Sequence, residues 1–290
     1  MPYKLELKSY HIPTSIKEAC EILGSEENSM PIAGGTGIYI FSNKGIMSNV
    51  ESVVNLEKLN LSYVKENVGS VKVGAMTKLS DVGKCITKID MIDQAVLSIP
   101  KEVRNVGTVG GQVFTAFPAF DLSVCLLALR GSVNITDGEE TNNVRMSEMY
   151  SNMFSPNIPK GSIIESVEIP VSSYNKSTYL KFSYTKHGFS DVSMALAVNV
   201  KDNYLEDIGI SVGGGALDSH PIRLNEIEDE LKRKHFEAEL VEKGVEMILK
   251  NENIKFYTDH KSSSDYRKKL LGTLFRRGIT ELMGVENYGR

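Results

Sequence analysis

Apolar residues recur at helical spacing near the end of the chain and predict a long amphipathic helix there. Its apolar face consists of Leu270, Leu271, Leu274, Phe275, Ile279, Leu282 and Met283. Two earlier helices are predicted in the same way, one from Leu224, Ile227 and Leu231 and one from Phe236, Leu240, Val241, Val245 and Ile248. Strands are predicted ahead of them at 181–183, 194–200 and 205–212, the last with an apolar residue at every second position. The simplest packing is an antiparallel sheet backed by helices.

The start of the chain alternates between strand and helix patterns. Ser15 and Glu18 have the spacing of a capping box and predict a helix that runs to about Leu23 and ends at Gly24. With the strand that leads into Gly34 and the strand at 53–56, this helix predicts a small α/β lobe over about 1–56.

A larger lobe is predicted over about 57–172. Its elements are a hairpin at 62–65 and 71–74, helices from Thr77 towards Lys88 and from Met91 to Ser98, a second hairpin at 133–136 and 143–146, and a strand at 163–170. Asp121 stands where a Leu-rich helix needs its N-cap. The expected fold is therefore α+β, with domains at 1–172 and 173–290.

The charge balance is slightly acidic, with 33 Lys and Arg against 37 Asp and Glu. No basic stretch stands out, which argues against nucleic acid as the main partner. No apolar run approaches the roughly 20 residues of a membrane span, and residues 1–6 do not resemble a signal peptide. We therefore expect a cytoplasmic protein.

Cysteine and histidine give no sign of a metal centre in this chain. Cys20, Cys85 and Cys125 are widely spaced and are expected to be small buried thiols. They cannot supply the four ligands that an iron–sulfur cluster usually needs. The five histidines show no metal-ligand spacing either.

The stretch 104–121 is poor in charge and rich in Gly and aromatic residues. A helix does not comfortably hold Gly107, Gly110, Gly111 and Pro118 in one run, so a tight, partly buried backbone passage is expected. Such a passage can hold an anion through its N–H groups. The alternative is a β-bulge or a barrel corner without a ligand.

A second glycine passage lies upstream at 31–40, where a short strand leads into Gly34-Gly35-Thr36 and then an apolar segment. A strand, a glycine turn and a helix N-terminus together favour negative charge. The alternative is a tight turn with no ligand. Two such passages in one domain fit a diphosphate held from both sides.

Three stretches in this order resemble motifs of the flavoprotein subunit of the molybdenum hydroxylases, the group of xanthine dehydrogenase and carbon monoxide dehydrogenase. They are A-G-G-T at 33–36, R-N-V-G-T-V-G-G continuing to P-A-F-D over 104–121, and D-H-K-S-S-S-D-Y-R at 259–267. The resemblance covers nearly the whole chain. It implies a two-lobed FAD-binding domain of the PCMH type, followed by an α+β domain like the C-terminal domain of the carbon monoxide dehydrogenase flavoprotein.

The resemblance also implies the cofactor-binding positions. They are Ile32, Ala33, Gly34, Gly35, Thr36, Gly37, Ile38, Thr108, Gly110, Gly111, Gln112, Thr115, Ala119, Asp121, Ile164 and Lys181. The chain departs from the family pattern at four places: Gly37 replaces Asp, Gln112 replaces Asn, Phe117 replaces Ser, and Phe120 replaces a small residue. Phe117 and Phe120 either stack near the flavin or fill neighbouring core.

Three of these positions carry individual expectations. Asp121 is either the N-cap of its helix or, by the resemblance, an acceptor for the ribityl hydroxyls of FAD. Lys181 is either an exposed strand lysine or a cation near the flavin ring. Ile164 is implied to lie beside the isoalloxazine. No His lies near the first glycine turn, so FAD is expected to be noncovalent.

The implied function is electron transfer. By the resemblance, this subunit takes electrons from iron–sulfur clusters on a small partner subunit, which a molybdenum cofactor on a large subunit supplies. It then passes them through FAD to NAD or another acceptor. Two alternatives remain open: a stand-alone flavin oxidoreductase of the same fold, and a nucleotide-binding module that has lost redox function.

Overall fold

A computed structural model describes residues 6–43, 45–85, 89–171 and 173–284. Its first sheet has three parallel strands, which are β1 (Ser9–His11), β2 (Ser29–Ile32) and β3 (Ser52–Asn55), in the order β1-β3-β2. Helix α1 (Ile16–Ser25) connects β1 to β2, and α2 (Ile38–Asn43) follows the first glycine passage. The predicted strand–helix–strand start of the chain is confirmed, and the division into lobes stays a prediction.

Helix α1 begins where the sequence predicts but ends later. The hydroxyl of Ser15 accepts a hydrogen bond from the N–H of Glu18, as a cap does. The carboxylate of Glu18, however, accepts from the N–H of Thr14. Gly24 does not end the helix, which continues through Ser25.

The second sheet is antiparallel and five-stranded. The strands along this part of the chain are β4 (Val64–Asn67), β5 (Ser70–Gly74), β6 (Ser132–Thr136), β7 (Thr141–Arg145), the short β8 (Tyr150–Asn152) and β9 (Ser155–Pro156), and β10 (Ile163–Pro170). The sheet has the order β4-β5-β10-β6-β7, and β8 pairs with β9 separately. Both predicted hairpins and the predicted strand at 163–170 are confirmed.

The helices beside this sheet include two, at 101–104 and 109–114, that the sequence did not predict. They are α3 (Leu79–Cys85), α4 (Asp90–Leu97), α5 (Lys101–Arg104), α6 (Val109–Phe114) and α7 (Asp121–Ala128). The prediction that 104–121 avoids helix was wrong, because Gly110 and Gly111 lie in the first turn of α6 with Thr108 as its N-cap. Thr77 does not cap α3 either; its hydroxyl bonds to the backbone of Tyr63. The predicted end of α3 near Lys88 lies outside the described residues.

The last part of the chain is an antiparallel sheet backed by helices, as predicted. Its strands are β11 (Lys176–Phe182), β12 (Val192–Lys201), β13 (Tyr204–Gly213) and β14 (Ile222–Arg223), in that order. Strand β11 starts before the predicted position at Lys181. The helices are α8 (Asn225–Leu231), α9 (Ala238–Lys250) and α10 (Ser264–Leu282). The division at residue 173 falls between β10 and β11 and stays a prediction.

Helix α7 joins the two halves of the fold. All eight of its residues are buried, and it packs against β12 and β13 as well as α4 and α6. At its C-terminal end, Nη1 of Arg223 donates to the carbonyl oxygen of Leu127 at 2.6 Å. Arg130, just beyond the helix, pairs with Asp207 of β13. One hydrophobic core therefore includes residues of α7, β10 and β12.

The described ranges contain neither a candidate metal site nor a helix that could cross a membrane. Among the residues described, no group of three or more His, Cys, Asp or Glu could hold a metal ion. In the same part of the chain, none of the helices combines the length and the apolar character needed to cross a membrane. Cys20 and Cys125 are buried thiols, as predicted.

Candidate functional site

A cleft of about 540 Å³ lies where the first sheet, α6, α7 and the end of β11 meet. Most of the predicted cofactor positions line it. They are Ile32, Ala33, Gly34, Gly35, Thr36, Gly37, Ile38, Thr108, Gly111, Gln112, Thr115, Ala119, Asp121 and Lys181. Two predicted positions are absent from the described lining, Gly110 and Ile164. Ile164 is a buried residue of β10, opposite Ile135 in β6.

The first glycine passage lines the cleft, and the main-chain N–H groups of its residues 34–37 have no acceptor among the described residues. Gly35 has a φ of 67°, which favours glycine. Within the described residues, no acceptor is paired with the main-chain N–H of Gly34, Gly35, Thr36 or Gly37, and the passage closes with Ile38 N donating to Gly35 O at 3.1 Å. Successive free N–H groups of this kind form a site for an anionic group.

The two glycine passages touch each other, which explains why glycine is needed. A Cβ on Gly34 would lie 2.8 Å from the carbonyl carbon of Val106 and 3.0 Å from Cα of Gly107. A Cβ on Gly107 would lie 3.4 Å from Oγ1 of Thr36. The close approach that requires glycine at these positions is therefore made, in part, by the other glycine passage.

The second passage has few free amides. Gly110 N donates to Ala75 O at 2.8 Å, and a Cβ on Gly110 would lie 2.8 Å from the Ala75 side chain. Gly111 N donates to the hydroxyl of Thr108 at 3.2 Å. Gly110 thus lets α6 approach the residue that follows β5, and Thr108, whose hydroxyl caps α6, lines the cleft.

Gln112 contributes an unused acceptor. Its side chain is buried and lines the cleft, and its Oε1 has no hydrogen-bond partner among the described residues. A buried carbonyl oxygen without a donor costs free energy, so a donor on a bound molecule would stabilise it.

Asp121 is the most heavily bonded polar residue of the cleft. Its Oδ1 accepts from the hydroxyl of Tyr179, and its Oδ2 lies 3.3 Å from Nζ of Lys181. Ser98 Oγ lies 3.3 Å from the same oxygen. Asp121 is the first residue of α7, and the N-cap is Phe120, which makes no side-chain cap. The prediction of Asp121 as an N-cap was therefore wrong.

Burial and the neighbouring polar groups shift the pKa of Asp121 in opposite directions. Burial raises the pKa of the Asp121 carboxyl, while the ammonium of Lys181 and the hydroxyl of Tyr179 act to lower it. Burial and the neighbouring carboxylate raise the pKa of Tyr179 well above its usual value, so that Tyr179 stays protonated and donates. The Lys181 side chain is only 11% exposed, so the reading of an exposed strand lysine was wrong.

Five phenylalanines form a cluster, and four of them form one wall of the cleft. Phe117 stacks on Phe154 with ring centres 5.2 Å apart, and Phe41 meets both rings edge-on. Phe120 lies between Phe41 and Phe189 at about 6 Å from each. Phe117 and Phe120 therefore belong to an aromatic cluster, of which Phe120, Phe41, Phe154 and Phe189 line the cleft.

The cluster also accounts for the departure at Gly37. A Cβ on Gly37 would lie 2.8 Å from Cε2 of Phe41, whose ring is buried. Any side chain at position 37 therefore requires the Phe41 ring to move.

Several lining residues were not predicted, notably Phe154, His187 and Phe189. Phe154 has a φ of 58°, an uncommon backbone for an aromatic residue. The stretch 185–189 carries no motif; its closeness to Lys181 along the chain was the available signal. These residues reach the cleft through tertiary structure alone.

The cleft offers groups that match the parts of FAD. Free N–H groups suit a diphosphate, Asp121 and the unpaired Oε1 of Gln112 suit hydroxyl donors, and Lys181 with the phenylalanine wall suits a planar ring that gains negative charge. The residues present therefore fit this cofactor.

Comparison with protein families agrees with this chemistry. Residues 3–172 match the family described as "FAD binding domain in molybdopterin dehydrogenase". Residues 177–282 match "CO dehydrogenase flavoprotein C-terminal domain". The glyceraldehyde dehydrogenase medium chain of Sulfolobus acidocaldarius is 28% identical over 279 residues, which cover 94% of this chain and 98% of that one.

A second relative and two solved structures are also similar to this chain over nearly its whole length. The carbon monoxide dehydrogenase medium chain of Afipia carboxidovorans is 23% identical over 277 residues, covering 93% and 94% of the two chains. Reconstituted CO dehydrogenase from Oligotropha carboxidovorans superimposes with a TM-score of 0.88 at 20% identity, covering 99% and 100%. Quinoline 2-oxidoreductase from Pseudomonas putida 86 gives 0.86 at 19%, covering 97% and 99%. These structures share the fold of this chain.

Proposed function

The chain belongs to the family of FAD-binding domains in molybdopterin dehydrogenases, and from this we propose that it is the FAD-carrying electron-transfer subunit of a molybdenum-containing hydroxylase or dehydrogenase complex. The observation that carries the proposal is the cleft that is lined both by residues 34–37, whose main-chain N–H groups have no acceptor among the described residues, and by the buried pair of Asp121 and Lys181. A protein named as a medium chain matches this chain over 94% of its length. That name implies further subunits.

Three groups of the cleft have proposed tasks. The N–H groups of 34–37 hold the diphosphate, and Asp121 accepts hydrogen bonds from the ribityl hydroxyls. Lys181 places a cation near the flavin ring, where it favours negative charge on the reduced form. No covalent bond to the protein is proposed.

Bound FAD supplies the exchange between one-electron and two-electron transfer. The chain binds it, orients it and sets the charge around it. The phenylalanine wall keeps water away from one side of the cleft, and the low dielectric there strengthens the effect of Lys181 on the ring.

The proposed partners are a small subunit with iron–sulfur clusters and a large subunit with the molybdenum cofactor. Electrons enter from the small subunit and leave to NAD or another acceptor, and the complex works in the cytoplasm. The electron-transfer role is the one that xanthine dehydrogenase flavoproteins have. Relatives are named for glyceraldehyde, nicotine and carbon monoxide, and we propose no substrate.

The test is an absorbance spectrum of the purified chain before and after acid precipitation. A flavin spectrum whose pigment leaves with the supernatant as FAD is the expected result. Pigment in the pellet would contradict noncovalent binding. A colourless chain that takes up no added FAD would favour the module without redox function.

A second measurement addresses electron transfer. The FAD-loaded chain is reduced chemically without oxygen and mixed with NAD⁺, and NADH is followed by its absorbance. Turnover of a small organic reductant by the isolated chain would instead support the stand-alone oxidoreductase.

A further inference from the structure

The acceptor proposed for the cofactor is held by residues from the other half of the fold. Asp121 lies at the first position of α7, whereas Tyr179 and Lys181, which donate to it, both lie on β11. Two residues apart on one strand, these side chains point to the same face. Strand β11 therefore places a hydroxyl and an ammonium on the two oxygens of one carboxylate.

The third neighbour of the carboxylate is weaker. Ser98 Oγ lies 3.3 Å from Oδ2 of Asp121 but also donates to Ala95 O at 2.7 Å, and one hydroxyl proton cannot serve both fully. The carboxylate of Asp121 thus depends mainly on β11. Its oxygens can accept about four hydrogen bonds in all, so at least one acceptor site remains for a ligand.

The same helix is also held by the C-terminal sheet at its other end. Arg223 of β14 donates to the carbonyl oxygens of Leu127 and Ala128, at 2.6 Å and 3.3 Å. Helix α7 is therefore fixed at one end through Asp121 and at the other through its last carbonyl groups. A change in the position of β11 would therefore alter the hydrogen bonds to the Asp121 carboxylate.

We propose that Tyr179 is a positioning residue, whose hydroxyl orients the Asp121 carboxylate towards the cleft and so couples retention of FAD to the docking of β11 on α7. This inference rests on the proposed function. It assigns to the second domain a direct part in cofactor binding, through a residue that itself does not line the cleft in the described structure.

The test compares Tyr179→Phe with Tyr150→Phe. Tyr150 is a matched control because it is also a buried tyrosine, and its hydroxyl donates to Val113 O and lies 3.1 Å from Ser123 Oγ, away from Asp121. Both variants lose one buried hydroxyl, and thermal unfolding reports the structural cost of each. FAD affinity is measured by titration of the apoprotein. We expect Tyr179→Phe to lower the affinity for FAD about tenfold more than Tyr150→Phe does. A loss of this size is typical of removing one hydrogen bond to a charged group.

The pH dependence of FAD affinity separates positioning from general damage. The titratable groups that face Asp121 among the described residues are Lys181, Tyr179 and Cys125, and burial keeps the last two protonated and neutral. FAD affinity should fall at low pH as Asp121 takes up a proton. Without the Tyr179 hydroxyl, burial is less opposed, so this fall should occur at higher pH in Tyr179→Phe and at unchanged pH in Tyr150→Phe.

Ser98→Ala is the second variant, chosen because it removes a neighbour of the same carboxylate without altering β11. It should move the fall in affinity in the same direction by less. Equal affinities and equal pH profiles for Tyr179→Phe and Tyr150→Phe, or a Ser98→Ala profile that moves while that of a folded Tyr179→Phe does not, would overturn the inference and leave the proposed function intact. A parent chain that binds no FAD would overturn both.

Discussion

The guanidinium of Arg267 forms a two-point ion pair with the carboxylate of Asp191, with Nε to Oδ2 at 2.8 Å and Nη2 to Oδ1 at 3.1 Å. Arg267 lies in α10 and is completely buried, although it carries a permanent charge. Asp191 ends the loop that brings His187 and Phe189 to the cleft. The motif at 259–267, near the end of the chain, therefore supports one edge of the candidate site through Arg267.

Arg267→Met should be strongly destabilising, because it leaves the carboxylate of Asp191, whose side chain is only 10% exposed, without its counter-charge. Breaking a buried pair on one side costs about 3–5 kcal/mol. Chemical denaturation of the variant and the parent measures the difference. Arg276→Met is the control, because its pair with Glu242 is exposed and such pairs contribute at most about 1 kcal/mol. Similar losses for the two variants would contradict the assigned role of Arg267.

Asp259, which also accepts from Arg267, should make stability dependent on pH. The N–H of Lys261 and the guanidinium of Arg267 lower the pKa of Asp259 to about 2. A lowered pKa means that the carboxylate stabilises the folded state fully above its unfolded pKa of about 4, and that this is lost as the pH falls towards 2. The melting temperatures of the parent and Asp259→Asn should therefore differ at neutral pH and converge over that window. A constant difference would show that the charge is not responsible.

Local signals along the chain predicted most of the regular elements. The apolar face of α10 and the turn at Asp137-Gly138 between β6 and β7 are visible because the residues that cause them are close in sequence. Helix α6 was missed for the opposite reason. The helical penalty of Gly110 and Gly111 is offset by close packing on Ala75 and by the Thr108 cap, which depend on tertiary structure.

In the candidate site, too, features that depend on local sequence were predicted and long-range contacts were not. The glycine passages were found from the sequence because close backbone approach requires glycine. The partners of Asp121 were not, since Tyr179 and Lys181 are 58 and 60 residues away along the chain. Helix statistics favoured an N-cap role for Asp121, but in the fold its carboxylate is buried and bonds to side chains of β11. Family resemblance pointed to both charged residues but not to the bond between them.

Asp121→Ala should weaken FAD retention well beyond its effect on thermal stability. The variant removes the proposed acceptor and leaves Lys181 without its carboxylate. The ratio of flavin to protein after gel filtration measures retention, and thermal unfolding of the apoprotein measures stability. Equal flavin occupancy in the variant and the parent would contradict the role of Asp121. Asp121→Asn is the matched variant, since it keeps the shape of the side chain and removes its charge.

Gly34→Ala should lose both stability and FAD binding, because its Cβ would lie 2.8 Å from the carbonyl carbon of Val106 and would push the two glycine passages apart. Gly24→Ala is the control. Gly24 lies inside α1, where a Cβ would meet Cα of Gly161 at an ordinary 3.7 Å, so the change should stabilise the helix by about 0.5–1 kcal/mol. Chemical denaturation and FAD titration distinguish the two. Unchanged FAD affinity in Gly34→Ala would show that the first passage tolerates displacement.

Gly37 and Phe41 should be energetically coupled. Gly37→Asp restores the residue that the family usually has, but its side chain would meet the Phe41 ring, and that ring packs on Phe117, Phe120 and Phe154. The single substitution should therefore destabilise the fold by about 1–3 kcal/mol through overpacking. Phe41→Ala should cost about 3–5 kcal/mol through the cavity it leaves. If the new carboxylate occupies part of that cavity, the double variant should cost less than the two single variants together. A double-mutant cycle by chemical denaturation measures the coupling, and strict additivity would show that position 37 and the phenylalanine cluster are independent.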